Sequence, residues 1–149
     1  MILYTVPIAP NPTKVMLYIA ERQIRGFDLG IKEIAVNTLK GKHKEAEHLT
    51  RNPFGTLPVL ELEDETFIFE SLSIIQYFEE CFPEKALLPK KAKERAKALE
   101  LERITDLRIL NEMARYVHAT KSPLGFPNNP EKANEAKTRI QPALDYLEC

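Results

Sequence analysis

The sequence predicts an α/β domain followed by an all-α domain, and three observations support this fold class. The chain opens with a strand, a helix and a second strand, an order that favours parallel pairing. Two short strand-like runs and an apolar helix follow, before residue 83. Beyond Pro89, the apolar residues recur only at helical spacing. We therefore place an α/β domain at residues 1–82, a linker at 83–90 and a helical domain at 91–149.

The first predicted strand covers residues 2–6, an apolar run that is rich in strand-forming residues. The first predicted helix covers residues 13–23, because apolar side chains recur there on one helical face. Asn11 is placed to cap this helix, with Pro12 at its first position. A second strand follows within residues 29–36, where the alternation of apolar and polar residues is imperfect.

The second half of the α/β domain is predicted to be a β-hairpin and a helix. Residues 59–62 and 66–69 are strand-like and flank an acidic turn, which indicates antiparallel pairing. Ser71 is a natural cap for the next helix, whose apolar stripe ends before Pro83. The helical domain should contain one long helix at 91–121. A break rich in proline follows that helix, and a second amphipathic helix begins near Ala133.

Composition excludes several classes of function. Lys and Arg number 21 against 22 Asp and Glu, so the charge gives no reason to expect nucleic acid or an anionic membrane as a partner. No run approaches the ~20 apolar residues of a membrane span, and no export signal is visible. The cysteines, Cys81 and Cys149, show neither a CxxC nor a metal-ligand spacing, which favours a reducing cytoplasm and no metal. Cys81 is predicted to be a small buried side chain.

Four short motifs occur in a fixed order: Leu3-Tyr4 before a proline-rich turn, His43-Lys44, the run Asn-Pro-Phe-Gly-Thr-Leu-Pro-Val-Leu at 52–60, and Glu70-Ser71. In this order the chain resembles the cytosolic glutathione transferases over its whole length. The resemblance implies a thioredoxin-like first domain, glutathione as substrate, and a homodimer. Members of this family are usually longer, so it also implies that the helical domain is C-terminally incomplete.

The resemblance implies a set of glutathione-binding residues. The Leu57–Pro58 bond would be cis, and the Leu57 backbone would pair with the cysteinyl part of the tripeptide. Glu70 and Ser71 would hold the γ-glutamyl end at a helix N-terminus. His43 and Lys44 would hold the glycyl carboxylate. Each residue also has a plainer interpretation: an ordinary loop proline, a helix cap with a first-turn acid, and a solvated basic run.

The position that holds the sulfur differs from the family pattern. Glutathione reacts as its thiolate, so a hydrogen-bond donor should lie near the sulfur. The classes nearest to this loop carry Ser or Cys where this chain has Ala9, which cannot donate. Asn11 is the next candidate, although capping alone would also select Asn before Pro. Thr5 and Thr13 are lesser candidates. Tyr4 is expected in the core.

The resemblance therefore implies a transferase that binds glutathione as thiolate. The enzyme would pass the thiol to a small hydrophobic electrophile or reduce glutathione disulfides and peroxides. The second substrate would lie along the long helix, near Arg108, Asn111, Arg115 and Tyr116. The alternative is a glutathione-transferase-like module that binds a protein partner without catalysis, and Ala9 favours that alternative.

Overall fold

The computed structural model of the chain describes residues 1–148, which divide into two compact units. The first unit is Met1–Leu87, and the second begins at Leu88. The boundary lies inside the segment 83–90. An α/β unit followed by an all-α unit confirms the predicted fold class. Cys149, one of the two cysteines considered above, lies outside the described residues.

The first unit is built on a four-stranded mixed sheet. Its strands are β1 (Ile2–Thr5), β2 (Lys32–Ala35), β3 (Val59–Glu61) and β4 (Phe67–Phe69), in the order β2-β1-β3-β4. β1 and β2 are parallel, while β1–β3 and β3–β4 are antiparallel, so both predicted pairings are confirmed. β2 is shorter than predicted, because its partner β1 offers only four residues to pair with.

Three helices accompany this sheet: α1 (Pro10–Ile24), α2 (Ala46–Arg51) and α3 (Ser71–Cys81), with short 3₁₀ turns at Lys42–Lys44 and Pro83–Lys85. Side chains alternate between the two faces of the sheet. On one face Leu3 and Leu60 pack with apolar residues of α1 and α3. On the other face Tyr4 and Val59 form a smaller cluster, which confirms Tyr4 as a core residue.

A fully buried arginine joins α1 to the end of α3. Arg22 donates to the Tyr18 hydroxyl at 2.8 Å and to the carbonyl oxygens of Phe78 and Phe82 at 3.3 and 2.7 Å. The Tyr18 hydroxyl in turn donates to Glu79 Oε1 at 2.7 Å. Burial raises the pKa of Tyr18 to about 12, so the hydroxyl keeps its proton. The bond to Phe82 O gives a partner to a carbonyl group at the end of α3, where intrahelical donors run out.

Three predictions at helix ends are wrong. α1 begins at Pro10 with Ala9 as its cap residue, so Asn11 lies inside the first turn and caps nothing. Both Pro10 and Pro12 suit a first turn, and the helix starts at the earlier one. α3 begins at Ser71, because Glu70 before it has a φ of 72° and cannot be helical. Cys81, the last residue of α3, is exposed and not buried.

The second unit is helical. It contains α4 (Ala92–Ile104), a π-helical segment (Thr105–Leu110), α5 (Asn111–Thr120) and α6 (Pro130–Glu148). The predicted long helix is confirmed as one helical run, although its sequence gave no sign of the π-helical segment. Small side chains of α5 and α6, among them Ala119 and Ala136, are buried where these helices pack. Among the residues described, no helix is long and apolar enough to cross a membrane.

Candidate functional site

Three strand ends meet at one edge of the sheet in the first unit. The β3–β4 ladder ends at Val59 and Phe69, so residues 57–58 and 70–71 leave it side by side. The β1–β3 ladder also ends at Val59, which brings the β1–α1 loop, residues 6–9, to the same edge. The backbone therefore gathers the segments that carry Leu57, Ser71 and the start of α1.

The loop at residues 52–57, between α2 and β3, is held by buried polar side chains. Asn52 is fully buried; its Nδ2 donates to Thr56 O at 3.1 Å and to Thr56 Oγ1 at 2.9 Å, and its Oδ1 accepts the Phe54 N–H at 3.1 Å. His48 Nε2 lies 3.1 Å from the same Thr56 O, and because a carbonyl only accepts, Nε2 carries the proton. We call this segment the 52–57 loop.

The His43–Lys44 pair lies directly against the 52–57 loop. Lys44 Nζ donates to Phe54 O at 3.1 Å, and it has no carboxylate partner among the described residues. A Cβ at Gly55 would lie 2.7 Å from His43 O and 2.9 Å from Lys44 Nζ, and the φ of this glycine is +60°. Only glycine allows this approach without displacement. The result is an ammonium group held beside the loop without a counter-ion.

His43 differs electrostatically from its neighbour. Burial, and then the charge of Lys44, lowers the pKa of His43, so the neutral ring is favoured. Its Nδ1 is buried and has no hydrogen-bond partner within the described chain. Lys44 is therefore the permanent cation of the pair.

The Leu57–Pro58 peptide bond is cis, as the resemblance implies. Leu57 itself is half-buried. Neither its backbone N–H nor its C=O makes a hydrogen bond within residues 1–148. A backbone donor and acceptor thus remain unpaired just before β3 begins, where an extended peptide can add like a strand.

Glu70 and Ser71 stand where β4 gives way to α3. Glu70 is exposed, and its φ of 72° is strained for a residue with a side chain. Ser71 is buried as a residue, yet its hydroxyl bonds to nothing in the described part of the chain. The first-turn N–H groups of α3 are also free of helical partners and carry the positive end of its dipole. This corner can accept an anionic group.

The β1–α1 loop offers less to a ligand. Ile8 is 95% exposed and has a φ of 71°, which is unusual for a β-branched residue. Ala9, the cap residue of α1, contributes no side-chain donor. Asn11 is exposed in the first turn, and its amide makes no hydrogen bond with other described residues. Thr5 is buried, with its hydroxyl directed to Met16 Sδ, and Thr13 is half-buried within α1.

The four predicted second-substrate residues lie along the π-helical segment and α5. Arg108 is exposed in the π-helical segment and Asn111 is exposed at the start of α5. The ring of Tyr116 lies 5.2 Å from Lys137 Nζ. Arg115 alone of the four lines a cavity of about 690 Å³ between α5, the following loop and α6, and it pairs with Glu112 at 3.1 Å.

Three residues that shape the site were not singled out from the sequence: His48, Asn52 and Gly55. The signal for two of them was present in Asn-Pro-Phe-Gly, where an asparagine and a glycine surround a turn. His48 gave none, since a histidine in a short polar helix is indistinguishable from a surface residue. Among the described residues, no group of acidic, histidine or cysteine side chains is arranged to hold a metal.

Comparisons with known proteins identify the family and the fold. Residues 3–86 match the family "Glutathione S-transferase, N-terminal domain". Glutathione S-transferase 2 of Saccharomyces cerevisiae is 31% identical over 125 residues, which are 84% of this chain and 52% of that protein. A glutathione S-transferase domain-containing protein of Marinobacter aquaeolei has a similar structure. Its TM-score is 0.85 at 28% identity, covering 99% of this chain and 72% of that one.

A further solved structure of the same fold contains a bound ligand. A glutathione transferase homologue from Sulfitobacter, with bound glutathione, matches at a TM-score of 0.76 and 18% identity. The match covers 99% of this chain and 68% of that one, and it supports the fold alone. The chain spans about half the length of the curated relatives that it matches.

Proposed function

The chain belongs to the glutathione S-transferase family, and from that premise we propose that its first unit binds glutathione at the edge of the sheet where β1 and β4 end and β3 begins. The observation that carries the proposal is the unpaired backbone of Leu57. Leu57 ends the loop that holds a cation without counter-ion, Lys44, and it precedes the strand whose partner leads into the free N-terminus of α3. These groups match a tripeptide with a carboxylate at each end.

Each part of glutathione has a complementary group. The glycyl carboxylate would meet Lys44, with His43 beside it. The cysteinyl backbone would pair with Leu57, ahead of the cis Pro58. The γ-glutamyl carboxylate would accept from the Ser71 hydroxyl and the first N–H groups of α3, and Glu70 would meet the γ-glutamyl ammonium.

Asn11 is the proposed thiolate-holding residue. Because it does not cap α1, its amide is free to donate to sulfur, and the positive end of the α1 dipole favours the anion. The thiolate would then attack an electrophilic carbon and displace a leaving group. In the reductions it would attack a disulfide sulfur and displace a thiolate, or attack a peroxide oxygen and displace an alkoxide, after which a second glutathione would convert the resulting sulfenic acid to glutathione disulfide and water. Both reactions need the same deprotonated sulfur.

The second substrate is proposed to be a small hydrophobic electrophile. Exposed Ile8 offers an apolar surface in the β1–α1 loop. Arg108, Asn111, Arg115 and Tyr116 stay candidates for this substrate on the second unit. We also propose a homodimer, which is based on the resemblance to the family. A cytoplasmic location is proposed from the charge and cysteine content of the sequence.

A calorimetric titration of glutathione into the full chain tests the binding proposal. We expect one site, with a Kd between micromolar and low millimolar. Transfer is tested with a nitroaryl chloride, where the glutathione sulfur replaces chloride and the product is followed by absorbance. Saturable binding with turnover supports the transferase, while a folded protein that does not bind glutathione contradicts the proposal.

A second candidate is a non-enzymatic interaction module of the same fold. The observation that favours it is Ala9, which removes the usual donor from the loop that faces the sulfur. Under this candidate, glutathione binds weakly or not at all, and the thiol transfer rate stays at the uncatalysed value. The same titration and assay therefore separate the two candidates.

A further inference from the structure

We propose that Asn52 is a positioning residue that sets the place of the Lys44 ammonium, and that it thereby favours glutathione over peptides without the glycyl carboxylate. The inference rests on the proposed function of the first unit. Asn52 is fully buried, so it acts on the ligand through other groups.

The path from Asn52 to Lys44 consists of two hydrogen bonds through one residue. Asn52 Oδ1 accepts the Phe54 N–H at 3.1 Å, and Phe54 O accepts from Lys44 Nζ at 3.1 Å. The amide side chain therefore fixes the N–H of Phe54, and the carbonyl of the same residue holds the ammonium. The peptide group that carries Phe54 O is also held by the Gly55 N–H, which donates to Asn52 O at 2.9 Å. Loss of the side-chain bond therefore leaves a single backbone contact to hold this turn, and the partner of the ammonium becomes less fixed.

Asn52 is itself held from the other end of the loop. Its Nδ2 donates to both Thr56 O and Thr56 Oγ1, at 3.1 and 2.9 Å. Because the side chain is fully buried, water does not compete for these bonds. Asn52 thus ties the residue that holds Lys44 to the residue that precedes Leu57.

Gly55 leaves the space that this arrangement needs. A Cβ there would lie 2.9 Å from Lys44 Nζ and 3.0 Å from its Cδ, so the lysine stem runs close along the loop. A lysine that is free in solvent loses side-chain entropy when it is fixed. A stem that is already placed against the loop has less entropy to lose when a carboxylate binds.

The discriminating ligand is γ-glutamylcysteine, which carries every group of glutathione except the glycine. If Asn52 acts through Lys44, its loss should weaken the binding of glutathione and leave the dipeptide nearly unchanged. A merely structural role would weaken both ligands alike. The ratio of the two Kd values is therefore the readout.

The experiment is a double-mutant cycle on the full chain, with calorimetric Kd values for both ligands. The proteins are the wild type, Asn52→Leu, Lys44→Ala and the double variant. We expect Asn52→Leu to weaken glutathione about fivefold and the dipeptide less than about twofold, and to add less than about twofold once Lys44 is gone. Asn37→Ala is the matched control, since it removes an equivalent side-chain bond, to Lys40 N, from an exposed turn.

Equal losses for both ligands, or independent losses that multiply in the double variant, would overturn the proposal. If Asn52→Leu does not fold, Asn52→Ala replaces it, because it removes the same Oδ1 acceptor of the Phe54 N–H and leaves a smaller apolar side chain in the loop. An unchanged Kd ratio in that variant would also overturn the proposal. Wild-type protein that binds neither ligand would contradict the proposed function itself, and this inference with it.

Discussion

The 52–57 loop and the β1–α1 loop reach the same edge of the sheet, yet they are built in different ways. The 52–57 loop is held by buried Asn52 and His48, and its bonds place a lysine and a free backbone. The β1–α1 loop has a nearly fully exposed Ile8 and no side-chain donor at Ala9, and the amide of Asn11 beyond it is unsupported. The groups that the 52–57 loop offers to a ligand are fixed by buried polar contacts, whereas the group proposed for the sulfur is not.

This contrast has a functional consequence. Preorganised groups contribute most to ligand affinity, because they lose little conformational entropy when the ligand binds. We therefore expect the groups proposed to bind the tripeptide to contribute most of the binding free energy, and we expect the thiolate to be stabilised only modestly. Variants in the two regions should differ in the size of their effect.

The largest effect is expected from Lys44→Ala. Loss of a charge-assisted hydrogen bond to the glycyl carboxylate should weaken glutathione about tenfold, near 1.4 kcal/mol. Calorimetry measures this, with Lys40→Ala as a control from the same basic run. An equal loss in both variants would mean that only general charge attracts the ligand.

The next effect is expected from Ser71→Ala. The hydroxyl donor is lost while the N–H groups of α3 remain, so the Kd for glutathione should rise about fivefold. Ser73→Ala is the matched control, because Ser73 is an exposed serine of the same first turn. The idea fails if Ser71→Ala binds like the wild type while its melting temperature is unchanged.

The contrast also shows what sequence reasoning can and cannot reach. Strand alternation and helical spacing identify every strand and each of the longer helices, because burial of Leu3, Leu60 or Phe78 follows from period alone. Helix starts are less accessible: Pro10 and Pro12 are both suited to a first turn, and only the backbone decides between them. The exposure of Cys81 depends on which face of α3 its last turn presents.

Buried polar residues were the least predictable. Arg, His and Asn side chains usually lie at the protein surface. The burial of Arg22, His48 and Asn52 depends on hydrogen-bond partners that are far along the chain or across a turn. The motif residues Lys44, Leu57 and Ser71 were named from the resemblance. The structure adds the contact that places Lys44 and shows that the Leu57 backbone and the Ser71 hydroxyl are unpaired within the described residues.

A smaller effect is expected from Asn11→Ala, since an exposed amide should stabilise the thiolate by only about 0.5–1 kcal/mol. We expect kcat/KM for thiol transfer to fall about threefold and the pKa of the bound thiol to rise, while the Kd of glutathione stays unchanged at pH values below that pKa. A pH–rate profile measures the shift. A hundredfold loss of rate would instead show that the β1–α1 loop is as well organised as the 52–57 loop.

The smallest effect near neutral pH is expected from His43→Gln. Because the pKa of His43 is lowered by burial and by Lys44, the ring is neutral there and should change the Kd less than about twofold. As the pH falls through this lowered pKa the ring gains a charge, while the glycyl carboxylate stays ionised down to about pH 3.5. Wild-type binding should then tighten relative to His43→Gln. A ratio of the two Kd values that stays constant as the pH falls through the pKa of His43 would contradict a role for this histidine.

The most direct test of the central claim is a titration of the full, isotope-labelled chain with glutathione, followed by amide NMR. We expect saturable changes in the amide chemical shifts of Lys44, Leu57 and Ser71, and none at residues that line the cavity between α5 and α6. A folded protein whose amides do not shift, or shift only around that cavity, would contradict it.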